Sequence, residues 1–352
     1  MKKLLEKNKG MKILVTGHTG FKGSWLCKTL IMAGAEVTGF ALEPPTDPNL
    51  FSISGIEKNM RSVIGDIRDL EMLKKTVAEC RPEIVIHMAA QPIVRESYAD
   101  PVYTYQTNVM GTVNVCEAIR HCPDVRSFVN VTTDKVYRNN EWEWGYRETD
   151  PLDGYDPYSN SKSCSELVTS SYAKSFLVGN GVAVSTCRAG NVIGGGDFAK
   201  DRIIPDCVRA MEKGEQILLR NPYSTRPYQH VLEPVTAYLM LALKQLNDPS
   251  LAGNYNVGPD DNSCVNTGDL ADLFCEKWGN GASWKNVSEK NAPHEANFLK
   301  LDCSRIKSIL GWEPKWGISE AVEKTVEWSK AYISHADTVA VMEKQIKEYL
   351  GE

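Results

Sequence analysis

The chain has 352 residues, 42% of them hydrophobic and 24% charged, with a formal net charge of -5. That length suits one large domain or two smaller ones, and the balance of apolar and charged residues excludes disorder, collagen and coiled-coil arrays. The acidic balance argues against a basic nucleic-acid face, and no apolar run approaches the roughly 18–20 residues a bilayer needs, so neither nucleic acid nor membrane is an expected partner.

In chain order, residues 1–10 carry Lys2, Lys3, Lys7 and Lys9 with no signal-peptide stretch behind them, and read as a solvated, flexible arm. Apolar runs at 12–16, 36–41, 62–64, 84–87 and 127–131 then alternate with amphipathic stretches at 20–33, 70–78 and 101–120, which predicts a parallel sheet covered by helices. Asp100-Pro101 is a helix start, because Asp caps free N–H groups and Pro at the first position has none to satisfy. A helix over 156–176 and a strand over 182–187 complete an expected α/β domain, 11–188, with a Rossmann-type doubly wound parallel sheet, rejoined by 228–258. From Gly194-Gly195-Gly196 the texture turns to a succession of Pro and Asn turns through Pro259. A smaller C-terminal α/β substrate domain is expected over 189–333, ending in a helix at 318–333, with a helical tail at 334–352.

Ten cysteines and six histidines are scattered without a C-x-x-C pair or metal-ligand spacing. Reduced thiols in a cytoplasmic protein are expected, and no metal.

The first strand runs directly into Gly17-His18-Thr19-Gly20-Phe21-Lys22-Gly23 and then a helical stretch. Glycines at this spacing let the backbone turn tightly and approach a pyrophosphate at a helix N-terminus, so Gly17, His18, Gly20, Phe21, Lys22 and Gly23 are expected to hold a dinucleotide. The second strand ends without the acidic residue that grips ribose hydroxyls. Glu43 lies late and Lys22 suits a 2′-phosphate, so on the residues alone NAD and NADP both stay open. Thr132-Thr133-Asp134-Lys135 follows another strand at its carboxyl end, where doubly wound sheets bind ligands. Further on, Tyr158 and Lys162 stand four apart on one helix face. An ammonium and an oxidised nicotinamide beside that phenol lower its pKa from near 10 and make it a general base for a hydroxyl proton.

These motifs, in this order, resemble those of the extended short-chain dehydrogenases/reductases that act on nucleotide sugars. The resemblance covers about 11–330 and takes in Gly65-Asp66-Ile67, His87-Met88-Ala89-Ala90, Asn108-Val109-Met110-Gly111 and the stretch 188–194. Within that family the opening glycine loop, Thr133-Asp134-Lys135 and the stretch 141–148 are most similar to the CDP-glucose 4,6-dehydratases. The resemblance implies NAD as cofactor and CDP-glucose as substrate, with cofactor contacts at Asp66, Ile67, Ala89, Ala90, Asn108, Tyr158 and Lys162. It implies that Tyr158 takes the C4 hydroxyl proton, Thr133 bonds the C4 oxygen, Asp134 is the acid at C6, and Lys162 tunes Tyr158. Lys135 is either a neutral amine that removes the C5 proton or a cation that stabilises the enolate.

Substrate contacts follow from the same resemblance at Gln91, Arg95, Asn191, Arg220, Arg226, His230, His294 and Glu295, guanidinium groups being suited to diphosphate oxygens. Plain alternatives stand beside these: surface ion pairs for Arg220 and Arg226, loop hydrogen bonds for Gln91 and Arg95, structural packing for the histidines, Trp142 and Trp144. A homo-oligomer through the helices at 101–120 and 158–176 is also implied, intrachain packing being its competitor. A dehydratase for another nucleotide or a 4-epimerase shares the first hydride transfer, although an epimerase needs no acid at C6. A non-catalytic dinucleotide sensor need not keep Tyr158 and Lys162 together.

Overall fold

The structure, a computed structural model, describes residues 2–7, 9–288 and 298–351. Seven strands form one sheet: β1 (Lys12–Thr16), β2 (Glu36–Ala41), β3 (Arg61–Ile64), β4 (Ile84–His87), β5 (Ser127–Thr133), β6 (Ala183–Ala189) and β7 (Asn254–Val257). Their order is β7-β6-β5-β4-β1-β2-β3, and every neighbouring pair is parallel. The chain therefore builds outward from β1 to one edge, then crosses to β4 and builds to the other. Loops leaving the carboxyl ends of β1 and β4 diverge, and a crevice opens between them.

Parallel sheets with both faces covered draw on near-continuous apolar strands, and β4 and β5 are buried throughout. One face, including Leu14, Val85 and Phe128, packs on Leu73, Val77, Val115 and Ile119. These come from helices Leu70–Cys80 and Gly111–Arg120. The other face, including Val15, Ile86 and Val129, packs on Trp25, Leu26, Val235 and Leu239, from helices Phe21–Met32 and Leu232–Asn247. A separate core of Ile204, Leu219, Leu270, Phe274 and Val322 joins helices Ile203–Lys213, Thr267–Trp278 and Ile318–Ile333.

Three features differ from the sequence expectations. Lys2–Lys7 is helical rather than a solvated arm, because Leu5 enters the core at 5% exposure. Full burial of such a side chain contributes about 1.5–3 kcal/mol. The stretch expected to be turns through Pro259 holds the helix Leu232–Asn247, whose residues 232–239 are all buried. Its burial takes in Glu233, Thr236 and Gln245 as well as the apolar residues, as in a helix covered on nearly every side. Finally, the helix expected over 101–120 is continuous but widens into one π-helical turn at Gln106–Met110. Such turns insert an extra residue, here in the turn that holds Asn108.

Candidate active site

The glycine loop leaves β1 and enters helix Phe21–Met32, whose N-cap Gly20 offers no side-chain cap and whose first turn holds no acid. Its N–H groups are left for an anion. Gly17 has φ +80°, and a Cβ there would stand 2.7 Å from Ala89 N; at Gly23 a Cβ would stand 2.1 Å from Gly17 O. Only glycine permits this approach of loop, helix and β4, so the cradle fits a dinucleotide pyrophosphate.

Where β1 and β4 end side by side, the Thr16 hydroxyl accepts the N–H groups of Met88 and Ala89 at 3.1 and 3.2 Å. It lies 2.7 Å from His87 Nδ1, and burial pushes His87 down to about 3. A neutral ring thus pins the Ala89-Ala90 turn to the glycine loop. Asp66 follows β3 and is gripped by the Arg68 side chain at 2.6 and 2.9 Å, with Ile67 buried beneath Gly111.

His18 stacks edge-on with Phe51, bonds Ser62 Oγ at 2.7 Å and fills the space above Gly39. Burial pushes it to about 4. Asn108 is occupied with Gln91 N, Gln91 O and Ser161 Oγ. It supports the turn from beneath.

A cleft of ≈ 930 Å³ opens beyond this cradle. Thr133, Lys135 and Tyr158 line one wall, Phe21 and Lys22 another, and Arg95, Asn191, Arg202, Arg220 and Arg226 the remainder. Asp134 is fully buried behind Thr133, with Oδ1 held by the Thr133 hydroxyl and by Lys135 Nζ, both at 3.0 Å, while Oδ2 has no partner. Lys135 Nζ also donates to Asn191 Oδ1 at 3.4 Å.

Helix Pro157–Tyr172 is capped by Asp156, which accepts Ser159 N. It carries Tyr158, Lys162 and Glu166 at successive four-residue steps, one face of the helix. Lys162 donates to Val131 O at 3.1 Å, and burial, reinforced by Lys22, pushes it down to about 7. Burial raises Tyr158 to about 12, the neighbouring Thr133 hydroxyl opposing it. Two turns below Tyr158, Glu166 forms a buried fork with Arg188 at 2.9 and 3.0 Å and accepts from Thr132 and Thr186. The helix is thereby locked to β5 and β6.

The other expected substrate residues divide. Arg220 pairs with Asp201 at 2.6 Å, and Arg226 donates to Thr225 O at 2.9 Å; both face the cleft. Arg95 lies 4.0 Å from Asp201. Gln91 and His230 do not reach the cleft. The Gln91 amide bonds Thr104 and Ile93, and His230 is fully buried between Trp25 and Trp316, where burial pushes it to about 3. Gln91 is held by inward partners, whereas His230 accepts Leu232 N at Nδ1 and its buried Nε2 has no partner among the described residues. His294 and Glu295 lie outside the described residues. Sequence reasoning missed Arg202, Asp197 and the Glu166–Arg188 fork. Glu166 repeats the Tyr158–Lys162 spacing and was findable; Arg202 sits in an irregular segment that carries no motif.

The sequence pattern of the GDP-mannose 4,6 dehydratase family matches residues 14–325. The chain belongs to that family. It is 48% identical over 356 aligned residues, 99% of both chains, to the CDP-glucose 4,6-dehydratase of Salmonella typhimurium (strain LT2). Among solved structures, it is similar to a Thermus thermophilus UDP-glucose 4-epimerase in complex with NAD. That match has 27% identity and TM-score 0.79, and covers 91% of this chain and 99% of the other. The Thermotoga maritima UDP-glucose 4-epimerase shares the fold at TM-score 0.80 and 24% identity, over 92% of this chain and 100% of that one.

Proposed function

We propose that this chain is a CDP-glucose 4,6-dehydratase, converting CDP-glucose to CDP-4-keto-6-deoxyglucose and water with NAD as cofactor. The observation that carries this reading is the 48% identity across 99% of both chains to a dehydratase of that specificity. The cleft supports it, because Thr133, Lys135 and Tyr158 line it with Asp134 immediately behind.

When bound, NAD supplies the acceptor that takes a hydride and gives it back within one turnover. Gly17, Gly20 and Gly23 would hold its pyrophosphate, with the Ala89-Ala90 turn packed against the same loop. Tyr158 removes the proton of the sugar's C4 hydroxyl, with Thr133 bonding the same oxygen. The resulting 4-ketone acidifies the C5 proton. Asp134, buried behind Thr133 with Oδ2 unpartnered, is the acid for the departing C6 hydroxyl. Lys135 donates to Asp134 Oδ1 and Asn191 Oδ1. At the elimination step it serves either as a neutral amine that takes the C5 proton or as a cation that stabilises the enolate while another group takes that proton. Arg95, Arg220, Arg226 and Asn191 hold the diphosphate side of the substrate, and residues 189–333 form most of that wall.

A 2′-phosphate does not suit Lys22. A residue that met the adenosine ribose would stand at the end of β2, whereas Lys22 lines the substrate cleft. The reading extends to deoxysugar biosynthesis in the cytoplasm and to a homodimer. Val102, Tyr105 and Met110 on one helix, and Leu167 and Phe176 on its neighbour, leave apolar surface exposed, as a helix-bundle interface requires.

Incubation with CDP-, dTDP-, UDP- and GDP-glucose, followed by the alkali absorbance of a 4-keto-6-deoxy sugar, tests the function. Product from CDP-glucose alone is expected. Product from another nucleotide and none from CDP-glucose overturns the substrate assignment.

A further inference from the structure

A site for a diphosphate should be poor in negative charge, yet the carboxylates of Asp197, Asp201 and Asp206 line this cleft among its arginines. Two of them are committed elsewhere. Asp197 Oδ2 pairs with Arg202 Nη1 at 3.0 Å, and its Oδ1 accepts Ala199 N at 3.1 Å. Asp206 pairs with Arg209 one turn along the same helix, Ile203–Lys213, and meets Arg220 Nη2 only at 3.4 Å. Asp201 is different. Its Oδ1 lies 2.6 Å from Nη1 of Arg220, just past the short strand Ile217–Leu219, and 4.0 Å from Nη1 of Arg95, on helix Val94–Ala99 beyond β4. One carboxylate oxygen thus stands between a guanidinium from the sheet domain and another from the substrate wall.

Neither burial nor regular structure holds Asp201 there. Its side chain is 38% exposed, and its backbone has φ +60°, the left-handed region that Asp and Asn enter more readily than other non-glycine residues. The hydrogen bond from Arg220 holds its carboxyl below the usual carboxylate range, so the charge is present at neutral pH. A carboxylate and a phosphate offer a guanidinium the same pair of acceptor oxygens.

We propose that Asp201 is a resident counter-anion at the diphosphate position: in the substrate-free cleft it holds Arg95 and Arg220 facing one another, and the diphosphate of the substrate takes its place. Any ligand that uses both arginines has to displace it, so the apparent affinity is lower than the arginines alone would give. In return two like charges that would repel stay in place before the substrate arrives, and they close again on Asp201 when the product leaves.

The proposal rests on the dehydratase reading for its diphosphate, and the test keeps the two apart. Calorimetry on the NAD-loaded protein measures the binding of CDP and of inorganic pyrophosphate to the parent and to Asp201→Asn. Asn fits a left-handed backbone as well as Asp does, so the variant loses the charge and little else. It should bind both ligands about 2-fold to 5-fold more tightly, the range left to half-exposed ion pairs after screening, and KM for CDP-glucose should fall in step. Added salt should weaken CDP binding more steeply in the variant, because its arginines meet the ligand uncompensated. In an Arg220→Ala background the same substitution should tighten binding far less, since the competition is for that guanidinium.

Equal or weaker binding of CDP and pyrophosphate by Asp201→Asn overturns the proposal. Equal binding would make the contact an inert surface pair, and weaker binding would make Asp201 a partner that aims the arginines at the substrate. Tightening that persists undiminished in the Arg220→Ala background overturns it too, by placing the effect outside this pair. Pyrophosphate carries neither base nor sugar, so it judges Asp201 whichever nucleotide the cleft takes. A parent that does not turn over CDP-glucose removes the dehydratase reading and leaves pyrophosphate to decide. If neither CDP nor pyrophosphate binds either protein, the proposal falls.

Discussion

Tyr158 sits where burial keeps its proton on and catalysis needs it off, so this phenol should control the first step. Tyr158→Phe is expected to lose about 100-fold to 10,000-fold in turnover, the usual contribution of a general base, while calorimetry still finds NAD binding. Near-normal turnover would remove Tyr158 from the mechanism. Lys135→Ala should fail later. Stopped-flow spectra should show bound cofactor reduced by substrate and a 4-keto-glucose intermediate accumulating, with slow elimination and slow deuterium uptake at C5. A variant already blocked at cofactor reduction would contradict the assignment.

Lys162 links residue chemistry to stability. Its folded pKa of about 7 lies below the ordinary 10.5, so between those values the unfolded chain holds a proton that the folded chain lacks. Stability from this group therefore rises with pH across that window, and the full cost is present below about 7. Lys162→Met should accordingly melt higher than the parent near pH 7 in cofactor-free protein, while turnover is lost. The gap should narrow as pH rises towards 10.5. A gap that widens with pH would mean the lysine is not strained by burial.

At the scale of the element, the fork between Glu166 and Arg188 decides where the catalytic helix lies. Glu166→Ala leaves a guanidinium at 1% side-chain exposure without its carboxylate, a defect worth about 3–5 kcal/mol. Pairing Glu166→Leu with Arg188→Met should return urea stability close to the parent, because desolvation of both charges is then avoided. If the double variant is no more stable than Glu166→Ala, the destabilisation comes from lost packing instead.

The same scale shows what could be read in advance. The sequence ranges for β1, β2 and β4 match their observed bounds, because short apolar runs between turn residues have few other solutions. Asp100 and Asp156 cap their helices as their pairing with proline suggests. Leu232–Asn247 escaped because Pro234 and the polar Glu233 and Thr236 in its first turns read as part of the turn-rich stretch. At the site, Thr133, Lys135 and Tyr158 were legible because each stands in a local motif. That Gln91 and His230 lie away from the cleft was not legible because inward packing leaves no mark in sequence, and Arg202 was missed because only the folded chain brings it to the cleft.

For the molecule as a whole, the helices over 101–120 and 157–177 leave Val102, Met110, Leu167 and Phe176 exposed, the surface on which the proposed homodimer rests. Light scattering should give about twice the chain mass. Leu167→Arg, at a residue 59% exposed, should give monomers that remain folded. A parent that runs as a monomer at micromolar concentration would rule out that interface.

The route of the chain has a practical consequence for protein engineering. It leaves the sheet after β6, contributes Ile203–Lys213 to the substrate wall, comes back through Leu232–Asn247 and β7, and departs again. Leu232–Asn247 covers a face of the sheet and β7 pairs with β6. A recombinant exchange of nucleotide preference with a relative cannot be a single cut near 189. It has to transplant two separate cassettes, one before and one after 229–257, and leave that segment native. A fragment ended at 189 would bare the sheet face that Val235 and Leu239 seal, and should be recovered as insoluble material.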